Sequence, residues 1–320
     1  MSMNQVLVKF LYFQLKVDRT VDNSRKKMLF DLTQFAEKVK ELDLDARSWK
    51  YNGDPIRLKN FRVDENDLLL MQFERLTNNA MPYIAKASEE IERDVPLDDD
   101  EFIANDINAI FDLSNSVLML QRNIHALSPK AIIQYINYFW NEDRAENEWE
   151  VIEFIPIIDP NIYDSAARNS DFKKLTVKTA NKYNSKNGVR NMLSDAVDGV
   201  LGNIIRASQP VSGLNLEVTF STARSKDDTL NDSEVKKIIQ EIREHENYFE
   251  KAELSIINSG HIEVLNLLNA LLLEKERFEQ PPKTRLRSDV VLDRMKYCYL
   301  PANEGLNRKL KINLMLRDGS

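Results

Sequence analysis

Apolar positions change their period several times along the chain, and each change predicts a new element. Dense aliphatic and aromatic runs over 6–17 and 67–76 predict strands. Between them, apolar residues recur every three or four positions, which predicts a helix with Asp31 as its N-cap. Asn52-Gly53 favours a tight hairpin turn, because both residues tolerate positive φ.

The stretch VLMLQRNIHALSPKAIIQYI, residues 117–136, begins as a strand and continues as a helix. Ser128 is a good N-cap and Pro129 a good first helical residue, so a simple connection explains the break. Arg122 and Asn123 lie at this break. We expect them to bond loop carbonyls, and the alternative is that they belong to a binding site.

A second series of elements begins near residue 148, where EWEVIEFIPII predicts a strand. Apolar residues then follow one helical face from Val189 to Ile205, which predicts either a core helix or a dimer helix. Strands are predicted at LNLEVTF and KAELSII, with a helix capped by Asn231 between them. A last helix is predicted from Ser288, whereas 262–279 fits strand and helix equally well.

Together these elements predict an α+β fold with mixed or antiparallel sheets and packed helices. The 320 residues suffice for two ordinary domains. We place an N-terminal α+β half at 1–147. The C-terminal α+β half, 148–320, would carry the basic segments and the possible dimer helix.

The composition of the chain indicates the cellular compartment in which the protein works. Cys298 is the single cysteine, so no intramolecular disulfide is possible, which favours a reducing environment. The first residues contain Lys9 and Gln14 and do not resemble a signal peptide. The most apolar run, Val264 to Leu273, is too short to cross a bilayer. We therefore expect a cytoplasmic protein.

Motifs for catalysis, metals and cofactors are weak. The chain has only eight glycines, and they form no glycine-rich phosphate-binding motif. The three histidines are not spaced as zinc ligands are. The acidic run Asp98 to Glu101 lacks the glycine of a calcium loop. Glu234-Val235-Lys236 has nuclease-like spacing but falls in a predicted helix. We expect no enzyme, metal or cofactor, with a metal-dependent nuclease left as an alternative.

Charge is distributed unevenly around a net value of −7. Residues 89–106 carry nine acids and one base, whereas residues 168–190 carry seven bases and one acid. Residues 283–317 carry nine bases and three acids. The basic segments are either solvated faces or contacts to phosphate groups. The candidate phosphate contacts are Lys173, Lys174, Lys178, Lys182, Lys186 and Arg190, with Arg285 and Arg287 secondary.

Read from end to end, the chain resembles the RexA-like phage-exclusion proteins of prophages. The likeness is carried by DLTQF at 31–35, FDLSNSVLMLQR at 111–122, IEFIPI at 152–157, LTVKTA at 175–180 and MKYCY at 295–299. The last of these motifs is the most distinctive. The resemblance covers nearly the whole chain and implies a fold similar to that of the ring-forming recombination-associated protein RdgC.

The resemblance also implies a function: a homodimer that binds duplex DNA with little sequence preference and acts in phage defence. Its partner would be a small membrane effector protein. A phage recombination protein is a second candidate partner, because protein sensing tolerates the acidic charge of the chain better than DNA binding does. The acidic stretch before Phe102 departs from this picture, because it disfavours DNA. The alternative is an interaction module that binds a phage or host protein without nucleic acid.

Overall fold

The structure is a computed structural model that describes residues 3–22, 24–77, 82–179, 199–208, 216–222, 228–246, 249–258, 260–300 and 308–318. The chain forms two compact units. Unit 1 comprises residues 1–157 and 272–320, and unit 2 comprises residues 158–271. The sequence predicts a boundary at 147/148 instead. The division found here differs because a strand near the C-terminus pairs with the first strand and brings the last residues into unit 1.

The described elements are antiparallel strands and helices, so the predicted α+β class is confirmed. The strands are β1 Asn4–Val21, β2 Ser24–Leu29, β3 Trp49–Tyr51, β4 Asp54–Val63, β5 Leu68–Thr77, β6 Tyr83–Lys86, β7 Glu89–Asp94, β8 Ile103–Asp112, β9 Val117–Arg122, β10 Val151–Pro156, β11 Phe172–Thr179, β12 Glu217–Ser221, β13 Phe249–Asn258, β14 His261–Asn266 and β15 Leu273–Gln280. The helices are α1 Leu32–Lys40, α2 Pro129–Asn141, α3 Ile162–Ala167, α4 Val200–Ser208, α5 Asp232–Glu244, α6 Ser288–Tyr299 and α7 Arg308–Asp318.

Unit 1 is built on one large antiparallel sheet with the order β10-β1-β9-β8-β5-β4-β3. The long strand β1 also pairs with β2 and β15. Helices α1 and α2 pack on one face of the sheet, and α6 and α7 pack on the other. Because both faces are covered, a central strand such as β5 is buried at eight of its ten positions instead of alternating between buried and exposed.

The predicted helix caps of both units are confirmed. Asp31 Oδ1 accepts a hydrogen bond from Thr33 N at 2.9 Å. Ser128 Oγ accepts one from Ala131 N at 3.1 Å, with Pro129 as the first residue of α2. Asn231 Oδ1 accepts one from Glu234 N at 3.2 Å. Each cap satisfies an amide that the first helical turn leaves without a partner.

The two polar residues between β9 and α2, Arg122 and Asn123, behave differently in the structure. Asn123 is structural as expected, because its Nδ2 donates to the carbonyl of Asp106 at 3.0 Å and its Oδ1 accepts from His125 N at 3.1 Å. The prediction for Arg122 is wrong. Its side chain is exposed at the end of β9, and it makes no hydrogen bond or ion pair with the residues that the structure describes.

Unit 2 is a four-stranded antiparallel sheet with the order β12-β11-β13-β14. Its core lies on one face, where α3, α4 and α5 cover the strands. The segment 262–279, which fitted two patterns, contributes strand β14 here and strand β15 in unit 1. Of the predicted helix 189–205, only the end that forms α4 is described, and its Leu201 and Ile205 lie in the core of unit 2.

None of the helices in the described ranges combines the length and the apolar character that a membrane crossing requires.

Candidate nucleic-acid interface

The face of the unit 2 sheet opposite its core carries most of the polar side chains of that sheet. The outer face comprises Lys174, Thr176 and Lys178 of β11, Glu217, Thr219 and Ser221 of β12, Lys251, Glu253, Ser255 and Ile257 of β13, and Ile262, Val264 and Asn266 of β14. These residues share a side because strand residues two apart point the same way. Leu175 and Val177, between them, point into the core.

Two cations face each other on this surface. Lys178 of β11 and Lys251 of β13 are direct cross-strand partners. Like charges placed directly opposite destabilise a sheet. Each lysine is balanced by a nearby carboxylate: Lys178 Nζ lies 3.1 Å from Glu250 Oε2, and Lys251 Nζ lies 3.2 Å from Glu253 Oε2. Such partly exposed pairs are weak, so neither carboxylate holds its lysine strongly.

Lys174 extends the same row of cations. It lies two positions before Thr176 on β11, and its cross-strand partners are Ser221 and Ser255. Its side chain is exposed and has no ion-pair partner among the residues described. The cross-strand serines are neutral hydrogen-bonding groups, which suit contacts to phosphate oxygens. Lys174 is therefore the cation of the outer face that is most accessible to an anion.

The other candidates are Lys173, on the opposite side of β11 from Lys174, Arg285 and Arg287, in unit 1, and three residues that the structure does not describe. Lys173 donates to the backbone carbonyl of Asp228, ahead of α5. Arg285 and Arg287 are exposed in unit 1 before α6, and Arg287 Nε bonds Asp289 Oδ1 at 3.1 Å. Lys182, Lys186 and Arg190 lie outside the described residues.

Lys251 was missed by the sequence analysis. Its segment, EKAELSII, was predicted as a strand, and alternation alone would have placed Lys251, Glu253 and Ser255 on one face. The sequence alone does not show which strand pairs with β13. Only the register between β11 and β13 brings Lys251 opposite Lys178.

Buried acids in unit 1 have structural partners. The buried carboxylates of the described chain are paired as Asp54 with Arg75, Glu74 with Arg57 and Lys59, Asp112 with Lys309, and Glu274 with Arg308. No group of three or more metal-ligating side chains occurs within the ranges that the structure describes. These carboxylates therefore hold elements together.

Cys298 lies in the unit 1 core on α6. Burial raises the pKa of its thiol to about 12, with the nearby Glu276 carboxylate adding to the effect. Because the thiolate is the reactive form, a thiol with so high a pKa is a poor nucleophile. Cys298 is a packing residue.

The geometry defines an α+β protein of antiparallel sheets, in which one sheet carries lysines on the face opposite its core. The chain belongs to DUF6731, a family of unknown function whose model matches residues 3–311. No curated protein matches the chain.

Proposed function

We propose that the protein binds the phosphate backbone of duplex DNA through the outer face of unit 2. The observation that carries this proposal is the cross-strand pair Lys178 and Lys251, with Lys174 beside it on the same face. The proposal is further supported by the chain itself. It leaves β11 at Thr179 and enters a segment with three more cations, Lys182, Lys186 and Arg190.

The expected recognition is insensitive to base sequence. The outer face offers lysine, serine and threonine side chains, which serve phosphate oxygens. It offers no arginine for bidentate contact with guanine among its described residues, and no aromatic ring for stacking on an unpaired base. A duplex held by its backbone fits these groups better than a specific site or a single strand.

We place this activity in phage defence, as a sensor that works as a homodimer. The support is the resemblance to RexA-like phage-exclusion proteins, which spans the chain from DLTQF to MKYCY. A dimer would double the phosphate contacts, which suits a binder whose single outer face carries three lysines against the acids Glu217 and Glu253.

Binding can be measured by fluorescence anisotropy with a labelled duplex, with and without magnesium. We expect binding without magnesium, no cleavage of the duplex in its presence, and little change when the base sequence is scrambled. Absence of binding at low salt would contradict the proposal. Cleavage that requires the divalent ion would favour the nuclease alternative.

A further inference from the structure

A groove in unit 1 lies beside the exposed side of α2. Its volume is about 650 Å³, within the range of roughly 300 to 1,000 Å³ typical of ligand sites. Its lining includes Trp49 of β3, Gln134 and Tyr138 of α2, the C-cap residue Glu142, and Trp149 and Val151 at the start of β10.

Aromatic rings form the walls of this groove. The rings of Trp49 and Tyr138 stack with centroids 5.5 Å apart at an interplanar angle of 28°. Trp149 is 48% exposed, and its Nε1 donates a hydrogen bond to the carbonyl of Arg144 at 3.3 Å. Tyr138 is 45% exposed. Large rings held open to solvent and fixed by contacts at their edges are preformed surfaces for another group.

The polar groups beneath the rings are already occupied. The side-chain amides of Asn137 and Asn141 form hydrogen bonds with the backbone of Ile152 and Glu150, respectively, at distances of 2.8 to 2.9 Å. The Glu150 carboxylate is held by Trp140 Nε1 at 2.9 Å and by Arg19 and Arg144 at 3.2 Å. A partner therefore finds neither a free strand edge nor free amides at this floor, so recognition must come from the rings and the rim.

The rim is acidic. Glu142 is exposed on the groove, and Glu146 and Glu148 are exposed in the segment that leads to Trp149. None of the three forms an ion pair with another residue in the described part of the chain. The cation of this segment, Arg144, is taken up by Glu150 and lies 4.9 Å from the centroid of the Trp140 ring. Arg25, which donates to the Trp149 carbonyl at 3.2 Å, is another cation beside this segment. The three unpaired carboxylates outnumber it, so the local field favours a cationic ligand.

We infer that this groove binds an arginine side chain of a partner protein, stacked on Tyr138 and Trp149 and paired with Glu142. A guanidinium lies flat on aromatic faces and bonds carboxylates at its edge, which matches the two kinds of group that the groove presents. The contact of Arg144 with Trp140 is the same interaction made within the protein. The inference is independent of the DNA proposal, because every residue it uses lies in unit 1.

The three tryptophans of the chain allow a direct test. Trp49 and Trp149 line the groove, and Trp140 lies next to it, so intrinsic fluorescence of the whole protein reports on this site. The probe is a short acetylated and amidated peptide with one arginine between glycines. The matched probe carries citrulline, which has nearly the same shape but no charge. We expect a saturable fluorescence change with the arginine peptide and a clearly weaker one with citrulline.

Variants that keep all three tryptophans locate the binding. Tyr138→Leu should lower the affinity for the arginine peptide by about two- to thirtyfold, which is the range of a cation–π contact. Glu142→Gln should also lower the affinity for the arginine peptide, and it should leave the fold unchanged because position 142 is exposed. Tyr297→Leu is the control, since Tyr297 is a comparably exposed tyrosine on α6, 49% exposed, with Arg294 over its ring at 5.0 Å. It should bind like the wild type.

Three results would overturn the inference. The first is the absence of a saturable change with the arginine peptide. The second is equal affinity for the citrulline peptide, which would make the groove merely apolar. The third is wild-type binding by both Tyr138→Leu and Glu142→Gln, which would place the peptide elsewhere.

Discussion

At the residue scale, Asp112 is the most connected buried acid of unit 1. It is 1% exposed at the end of β8. Its Oδ1 accepts from Ser114 N and Oγ at 2.9 and 2.7 Å, and its Oδ2 accepts from Tyr299 Oη at 2.8 Å and Lys309 Nζ at 2.9 Å. Burial alone would raise the pKa of Asp112, but the hydrogen bonds from Ser114, Lys309 and Tyr299 outweigh it and lower the pKa.

This lowered pKa predicts a pH-dependent stability. The contribution of Asp112 should be fully present above the unfolded-state pKa of about 3.9 and should be lost as pH falls through the lower folded-state pKa. Asp112→Asn should lower the free energy of unfolding by about 1 to 3 kcal/mol near pH 7. The difference from the wild type should shrink toward about pH 3.

Urea unfolding followed by tryptophan fluorescence measures this difference, because all three tryptophans belong to unit 1. Asp293→Asn, on the exposed side of α6, is the control and should change stability by less than about 0.5 kcal/mol. A constant difference between Asp112→Asn and wild type from about pH 7 to about pH 3 would contradict the assignment.

The network around Asp112 also marks a limit of sequence reasoning. The caps Asp31, Ser128 and Asn231 could be predicted because each bonds an amide two or three residues away. Tyr299 and Lys309 are 187 and 197 positions from Asp112, and no local pattern links them. MKYCY was noted for its distinctiveness, but the role of its last tyrosine depends on tertiary packing.

At the element scale, α2 protects the free edge of β10. Asn137 and Asn141 lie one helical turn apart, about 6 Å along the axis. Alternate residues of a strand are about 6.8 Å apart, so the two amides match the outward backbone groups of Ile152 and Glu150. An edge strand left open is a template for pairing with another chain. In this protein, two asparagines do what a further strand would do.

Asn137→Ala tests this arrangement. The change leaves both backbone groups of the buried Ile152 without their side-chain partner, so the free energy of unfolding should fall by about 1 to 3 kcal/mol. Gln134→Ala, three residues earlier on the same helix and exposed, should stay within about 0.5 kcal/mol of wild type. Equal denaturation midpoints for Asn137→Ala and wild type in urea would show that the edge does not need the amide.

The sequence predicted the existence of α2 but not this function. Its apolar stripe and its cap are local features, whereas the partner of its polar face is a strand that begins ten residues after the helix ends. The same limit explains the domain boundary. β15 was read as part of an ambiguous segment, and only its pairing with β1 places the C-terminal residues in unit 1.

At the scale of the whole molecule, the homodimer remains a prediction. Leu201 and Ile205, from the described end of the predicted dimer helix, pack into the core of unit 2. An interface would therefore use Val189 to Val197, which lie outside the described residues, or another surface. Light scattering at micromolar concentration should give about twice the chain mass of 37.2 kDa. A value equal to one chain mass would remove the dimer and weaken the RexA-like assignment.

If the lysines of the outer face contact DNA phosphates, the affinity for DNA must depend on salt concentration through those lysines. Each neutralised phosphate contributes about −0.9 to the slope of log affinity against log salt concentration. Replacing Lys174, Lys178 and Lys251 together with glutamine should therefore make the slope less steep by about 2.7 per protomer. Glutamine removes the charge without placing a new acid beside Glu250 or Glu253.

The matched control replaces Lys130, Lys236 and Lys237 with glutamine, which changes the net charge equally on helices α2 and α5. This variant should keep the wild-type slope, whereas the slope of the outer-face variant should be less steep by about 2.7 per protomer. The measurement is fluorescence anisotropy with one labelled duplex over a series of salt concentrations. Equal slopes for the folded outer-face variant and the wild type would show that this surface is only a solvated face.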